Sequence, residues 1–369
     1  MQDFSVDRTT VSWLTSIVSL IMGMCAIPAS ILASKIGLKR TFAIGSFLMT
    51  SAVLTPFSSN VIQLLSTRIL FAIGVAMTLP VGGGLIMKWF SGRELPLFNG
   101  FNMSALSLGN SVALFSAVVL ANTFEWKISL TTYGVICLMF ALSWLILGRE
   151  GEEYNLGTDP VPPVTSIGSI LRRKTTIVLG LTAAGPFILF MAISSWLPMY
   201  YNEVFGRPLS VASSMIGLFP IFGIVGCILG GVLPMRTGLR KPFLIIPGIL
   251  ISFAALGTFL VDNAAVNYIS IALFGVCDYM FVPVLFTICM ELPNTTPSIA
   301  SLVIAAMLAI GNVCGFTGPM IVGFLADSTG SYLPGMLVCS LLGLSLFVGG
   351  LFLPETGPNA KASFTTNGR

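Results

Sequence analysis

The sequence predicts an all-α polytopic membrane protein made of two parallel, pseudo-symmetric helical bundles. Three observations predict it: scarce charge, a succession of apolar runs of bilayer length, and an internal repeat. Charged residues are 9% of the 369 and apolar residues 55%, where a soluble domain carries about 25% charge. Most side chains must therefore face lipid or other helices. The net charge is +4 and there is no histidine, which removes the commonest metal ligand and any imidazole proton relay. The seven cysteines (25, 137, 227, 277, 289, 314 and 339) all fall inside apolar runs, without a CxxC pair. They read as small buried hydrophobes, neither a disulfide framework nor a metal site. No Walker sequence appears, so ATP drives nothing here. With no histidine base and no carboxylate pair at catalytic spacing, an enzyme is not expected, nor a cofactor, nor a nucleic-acid partner.

A bilayer core about 30 Å thick takes roughly 20 apolar residues per helical span. Such runs occupy 11–33, 41–59, 61–87, 97–121, 128–147, 176–200, 209–234, 242–261, 266–290, 297–324 and 334–353. Eleven spans are therefore expected. Residues 1–148 hold the first five and residues 176–354 the other six, with a polar linker over 149–175 and a tail over 355–369. The linker's second part, SIGSILRRK, reads as a short interfacial helix, apolar on one side and ending in Arg172, Arg173 and Lys174. Small residues three or four apart, as at Gly223, Gly226, Gly230 and Gly231, suit close helix approach. No basic segment precedes the first apolar run, so no cleavable signal is read there.

Basic residues orient the spans. With the loops after alternate spans and the C-terminal tail in the cytoplasm, that side holds 14 Lys and Arg residues. The other side holds only Arg8, Lys127 and Arg207. By the positive-inside rule, the N-terminus as given is outside and the C-terminus cytoplasmic.

The two halves repeat one another. SKIGLKR (Ser34–Arg40) is matched by MRTGLRK (Met235–Lys241), Gly37 answering Gly238 at an offset of 201. Gly74 answers Gly275 at 201, Gly109-Asn110 answers Gly311-Asn312 at 202, and Glu94-Leu95-Pro96 answers Glu291-Leu292-Pro293 at 197. Both basic clusters fall on the cytoplasmic side, so the repeats are parallel, related by an axis along the membrane normal. The second half carries one span, 176–200, before the span that ends in its basic cluster. Its counterpart in the first half would begin before Met1. A twelve-helix architecture with its first helix missing is expected, a shortened sequence being favoured over a native eleven-span protein.

These residues resemble the major facilitator superfamily over essentially the whole length. The family's loop signature is G-x-L-A-D-R-x-G-R-K-R. The first copy has Ser30, Leu32, Ala33, Ser34, Lys35, Gly37, Lys39 and Arg40 in its place, and the second has Gly231, Leu233, Pro234, Met235, Arg236, Gly238, Arg240 and Lys241. The family's Asp is thus Ser34 in one copy and Met235 in the other. That Asp ties the loop to neighbouring helices; here the tie is left to the backbone and the Ser34 hydroxyl. Other echoes are Arg68 followed by Gly74, KWFSGRE in the next inner loop, and LPETG after the last helix. The glycine turns the chain and the cations hold the loop at the cytoplasmic face, either as conformational elements or as simple topology anchors.

Ionisable groups deep in a span are costly and point to function. Two qualify. Arg68 lies two turns into the third span, and Asp278 lies near the middle of the ninth. In the resemblance they belong to family helices four and ten, which line the central cavity. Arg68 is read as an anion binder or as a partner of a proton carrier, and Asp278 as a protonatable coupling site. The alternative pairs them, or each with helix dipoles, to hold helices together. Asn110 and Asn312 occupy equivalent places in the two halves, where an amide bonds either substrate or a neighbouring helix. Trp196 and Tyr200, with Tyr201, close the sixth span at its outer face, as an interfacial aromatic belt or as an outer gate. The resemblance implies a monomeric secondary transporter of a small solute in the cell membrane, working by alternating access. With an interior Arg, one interior acid and none of the Gly-Pro signature of the family's drug antiporters around Gly109-Asn110, proton-coupled uptake of a small anion is expected. Drug or metabolite efflux, and a receptor or remnant that transports nothing, are the alternatives.

Overall fold

The computed structural model describes residues 8–123, 126–149 and 164–359, and every regular element among them is helical. In order these are α1 (Arg8–Ile36), α2 (Leu38–Met49), α3 (Val61–Trp89), α4 (Leu95–Thr123), α5 (Trp126–Leu147) and α6 (Val164–Leu171). There follow α7 (Lys174–Glu203), α8 (Leu209–Gly217), α9 (Phe219–Thr237), α10 (Pro242–Phe259), α11 (Ala264–Glu291), α12 (Pro297–Thr329), α13 (Leu333–Gly343) and α14 (Ser345–Phe352). Among the described residues, nine helical stretches are long and apolar enough to cross a bilayer. Two further expected spans are 97–121 and 41–59. Residues 97–121 lie within the 29-residue α4, and residues 41–59 are the twelve-residue α2 running into a 3-10 turn over Thr50–Phe57.

Side-chain hydroxyls explain that change of helix type. Thr50 Oγ1 donates to Phe47 O and Thr55 Oγ1 to Ala52 O, each at 2.7 Å. Such local bonds compete with the α-helical ladder, and Pro56 removes a backbone donor.

The repeated basic cluster is a repeated backbone device. Gly37 has φ 92° and Gly238 φ 67°, values that side chains with a Cβ adopt at a cost. Gly37 N–H closes α1 on Ala33 O at 2.9 Å, and Gly238 N–H closes α9 on Pro234 O at 3.0 Å.

The chain divides into two compact units, one of residues 1–89, 115–172 and 296–313, the other of residues 90–114, 173–295 and 314–369. In the first, α2 meets α3 backbone to backbone, a Cβ on Gly74 falling 2.6 Å from Gly45 O. There α1 packs on the start of α12 through Ala26, Ala305 and Ala309, and Ser30 Oγ meets both the carbonyl and the hydroxyl of Ser301 at 3.1 Å. Ala33, Leu38, Val81 and Leu85 form a core patch that Phe42 and Trp144 cover.

In the second unit α9 lies so close to α11 that a Cβ on Gly226 or Gly230 would run into the carbonyls of Val276 and Met280. Gly275 faces Phe219 O in the same way. Gly74 and Gly275, equivalent in the sequence repeat, thus both serve close backbone approach. The first part of α4, which belongs to the first sequence half, packs on α9 at Gly100, whose Cβ would lie 2.8 Å from Cys227 O and from Gly231 Cα. Most of the expected linker (150–163) and residues 360–369 of the tail lie outside the described residues. The expected interfacial helix is α6, burying Ile167 and Ile170 and exposing Gly168 and Ser169.

Candidate functional site

Asp278 lies at the midpoint of the 28-residue α11, with 8% of its surface exposed. Among the described residues no cation pairs with its carboxylate and no donor is hydrogen-bonded to it. The groups close enough to act on it electrostatically are Cys227, Cys277 and Tyr279. A lone acid in this setting is held against a cost of about 3 kcal/mol.

Beside it, α4 presents a polar stripe. Asn99 Nδ2 donates to Thr287 Oγ1 of α11 at 2.9 Å. Further along, Ser104 lies beside the Cys227 thiol of α9 and donates to Gly100 O of its own helix at 2.8 Å. Ser107 Oγ donates to Pro220 O at 2.6 Å. The Tyr279 side chain lies beside Ser107 and Asn110 of α4, and its ring packs 5.5 Å from that of Phe219. Cys227 Sγ in turn meets Tyr279 O at 3.6 Å. Helices α4, α9 and α11 therefore converge on one polar cluster: Ser104, Ser107, Asn110, Cys227, Asp278 and Tyr279.

Of the expected site residues, this brings together Asp278 and Asn110. Arg68 stands in the first unit, two turns into α3 and half-buried, and among the described residues its guanidinium makes no ion pair or hydrogen bond. Asn312 behaves unlike its repeat partner Asn110. It is buried against Gly23 of α1 and donates to Leu308 O of its own helix at 2.9 Å. Trp196 Nε1 donates to Pro319 O at 2.9 Å and Tyr200 OH to Phe259 O at 2.9 Å, which ties α7 to α12 and to α10. The Tyr332 ring packs against both, tilted on Trp196 and edge-on to Tyr200, and its hydroxyl donates to Glu203 Oε2 at 2.9 Å. Burial first, and then that carboxylate, push the Tyr332 phenol above its usual range.

The two loop motifs differ. In the first, Ser34 Oγ turns back on Ile31 O of its own helix at 2.7 Å, and among the described residues it ties to no neighbouring helix; Lys35 and Arg40 are exposed. In the second, Arg236 is exposed but Arg240 is 0% exposed. Its guanidinium forks onto Glu291, Nη2 to Oε1 at 2.7 Å and Nε to Oε2 at 3.1 Å, and Nη1 donates to Pro234 O at 2.7 Å. Glu355, from the LPETG segment, accepts the backbone N–H groups of Arg240, Lys241 and Gly357 at 2.7, 3.0 and 3.0 Å. The acid that the motif lacks at Met235 is thus supplied by Glu291 and Glu355, from α11 and from beyond α14.

Sequence reasoning passed over Tyr279, Ser104, Ser107 and Cys227. The signal it held was Ser104, Ser107 and Ser111 at helical spacing beside Asn110 in an otherwise apolar run.

A model of the Major Facilitator Superfamily matches residues 1–315. The chain belongs to this superfamily. Among its relatives is a probable L-galactonate transporter of Escherichia coli (strain K12), 23% identical over 368 residues, which cover 92% of this chain and 79% of the relative. A hexuronate transporter of Bacillus subtilis (strain 168) is 25% identical over 374 residues, covering 94% and 85%. Among solved structures, the superfamily transporter FucP in the outward conformation superposes with a TM-score of 0.76 at 15% identity, over 95% of this chain and 92% of FucP. The superfamily member described here is a multi-pass membrane protein and a non-enzymatic transporter of small solutes.

Proposed function

We propose that this transporter imports a small organic anion together with protons, by alternating access, as a monomer in the cell membrane with its C-terminus in the cytoplasm. The observation that carries the reading is Asp278, an acid at the middle of a spanning helix with no cation or hydrogen-bond donor on it among the described residues. Exchange of one proton at this carboxyl, with one side of the membrane and then the other, supplies the coupling step. Arg68 supplies the anion's counter-charge: a guanidinium presents five donors in a fork that matches a carboxylate. The names of the relatives, L-galactonate and hexuronate transporters, support a sugar-acid anion.

Alternating access asks the basic-loop ends of the repeats to part. There α1 meets α12 through Ala26, Ser30, Ser301 and Ala305, and α4 meets α9 through Gly100 and Gly231. Both seams are made of small side chains and a few hydrogen bonds, each worth about 1 kcal/mol net, which suits contacts that must open repeatedly.

The experiment is uptake of labelled hexuronate and galactonate by cells that lack their own uptake and express this chain. Entry should be faster at acidic than at neutral external pH and should collapse with a protonophore. Asp278→Asn should abolish the pH dependence, and Arg68→Ala should raise KM by about tenfold or more, the scale of one lost charge-assisted hydrogen bond. Uptake that ignores pH defeats the symport reading. Accumulation in everted vesicles alone means export instead.

A further inference from the structure

At the basic-loop end, the seam between α4 and α11 encloses an amide that is only half bonded. Asn99 stands one turn into α4 and is fully buried. Its Nδ2 donates to Thr287 Oγ1 at 2.9 Å and meets Met290 Sδ, a weak acceptor, at 3.4 Å. Its Oδ1 is buried as well, and among the described residues nothing donates to it. Thr287 does not answer it, because the one proton of its hydroxyl goes to Pro283 O at 2.8 Å. The next residue, Gly100, rests on α9, where an added Cβ would lie 2.8 Å from Cys227 O.

We infer that Asn99 is a positioning residue for the transport cycle, its half-bonded amide favouring the parting of α4 from α11 at the basic-loop end. This rests on the proposed alternating access. A buried acceptor left unanswered costs more than one neutral hydrogen bond returns. Packed together, the helices give the amide its bond to Thr287 and leave the oxygen unmet. Once they part, water reaches both ends of the side chain, and the cost is lifted. The close contact of Gly100 and Gly231 pulls the other way. The seam therefore carries its own opposition, and neither arrangement holds it fast.

Cys227 reports on this seam. It is fully buried, its carbonyl lies against Gly100, and its Sγ donates to Tyr279 O at 3.6 Å. Cys339 is equally buried but lies away from the seam, where α13 meets α12, with Sγ 3.8 Å from Gly318 O. The test treats the full chain in proteoliposomes with N-ethylmaleimide at one pH and follows both cysteines by mass spectrometry. Each rate is divided by that of the same cysteine in the SDS-unfolded chain. In the wild type, Cys227 should label faster than Cys339. Asn99→Leu, close to isosteric and free of the unmet oxygen, should label Cys227 about tenfold more slowly, the factor for about 1.4 kcal/mol. Asn99→Met, unbranched and flexible, makes the same prediction without crowding Thr287. Thr287→Val strips the amide of its oxygen acceptor and should label Cys227 about tenfold faster. That gain should vanish when Asn99→Leu is added. Cys339 should label alike in all of them.

An Asn99→Leu or Asn99→Met protein that labels Cys227 at the wild-type rate or faster overturns the inference. Faster labelling in these variants and in Thr287→Val alike would show that the bond from Asn99 to Thr287 simply holds the seam shut. The wild type separates the two claims. If its Cys227 labels no faster than Cys339, the seam does not part and alternating access through it falls. If it labels faster while both Asn99 variants match it, alternating access stands and the role of Asn99 falls.

Discussion

Among the described residues Arg240 heads the fully buried side chains by volume, and it survives there because each nitrogen of its guanidinium has an acceptor. Removing one partner of such a pair leaves an uncompensated charge, which costs about 3–5 kcal/mol. Glu291→Ala should therefore destabilise the purified protein by about 3 kcal/mol, read as a large fall in Tm. Glu355→Ala should cost less, about 1–2 kcal/mol, because the N–H groups it leaves can turn to water at the loop surface. The reverse order would show that the tail segment, and not the ion pair, holds this loop. Gly238 was legible in the sequence, because a glycine repeated at an offset of 201 inside a basic cluster has one ready explanation, a positive φ. The partners of Arg240 were not. Glu291 and Glu355 lie 51 and 115 residues away along the chain, and no local pattern joins residues that only folding brings together.

The close approach of α9 and α11 is set by glycines, and it holds the Asp278 environment in place. Gly226→Leu puts a side chain where Val276 O already stands, which is overpacking without a flexible neighbour to yield. A loss of about 3 kcal/mol or more is expected, seen as poor expression and a lowered Tm. A fully stable Gly226→Leu protein would mean that the two helices are not held at this distance. The small-residue spacing of α9 announced this contact from sequence. The polar stripe of α4 was also written there, at Ser104, Ser107 and Asn110, yet nothing in the sequence says which helix the stripe faces. Phase along one helix can be read from spacing; its neighbour cannot. Asn110 and Asn312 make the same point, since equal places in the repeat led to a position beside Tyr279 in one case and to a bond with Leu308 O in the other.

The repeat, the apolar runs and the basic bias specify parallel bundles of membrane-spanning helices, and the loop motifs add the resemblance to the superfamily. The seams that span the repeats do not follow from them, for they join Ser30 to Ser301 and Ser107 to Pro220, 271 and 113 residues apart. Orientation rests on charge bias alone, and thiol labelling checks it. Ser210→Cys, exposed at the start of α8, should react with a membrane-impermeant maleimide in intact cells. Arg236→Cys, exposed in the last turn of α9, should react only in everted vesicles; the opposite pattern reverses the topology. The central claim is that substrate and proton cross together through the agency of Asp278. Its most direct measurement is proton flux in proteoliposomes loaded with a pH-sensitive dye, with labelled hexuronate or galactonate added outside. The account predicts that the lumen acidifies as substrate enters and that Asp278→Asn abolishes the acidification. Substrate entry with no acidification, or acidification that survives Asp278→Asn, would contradict it.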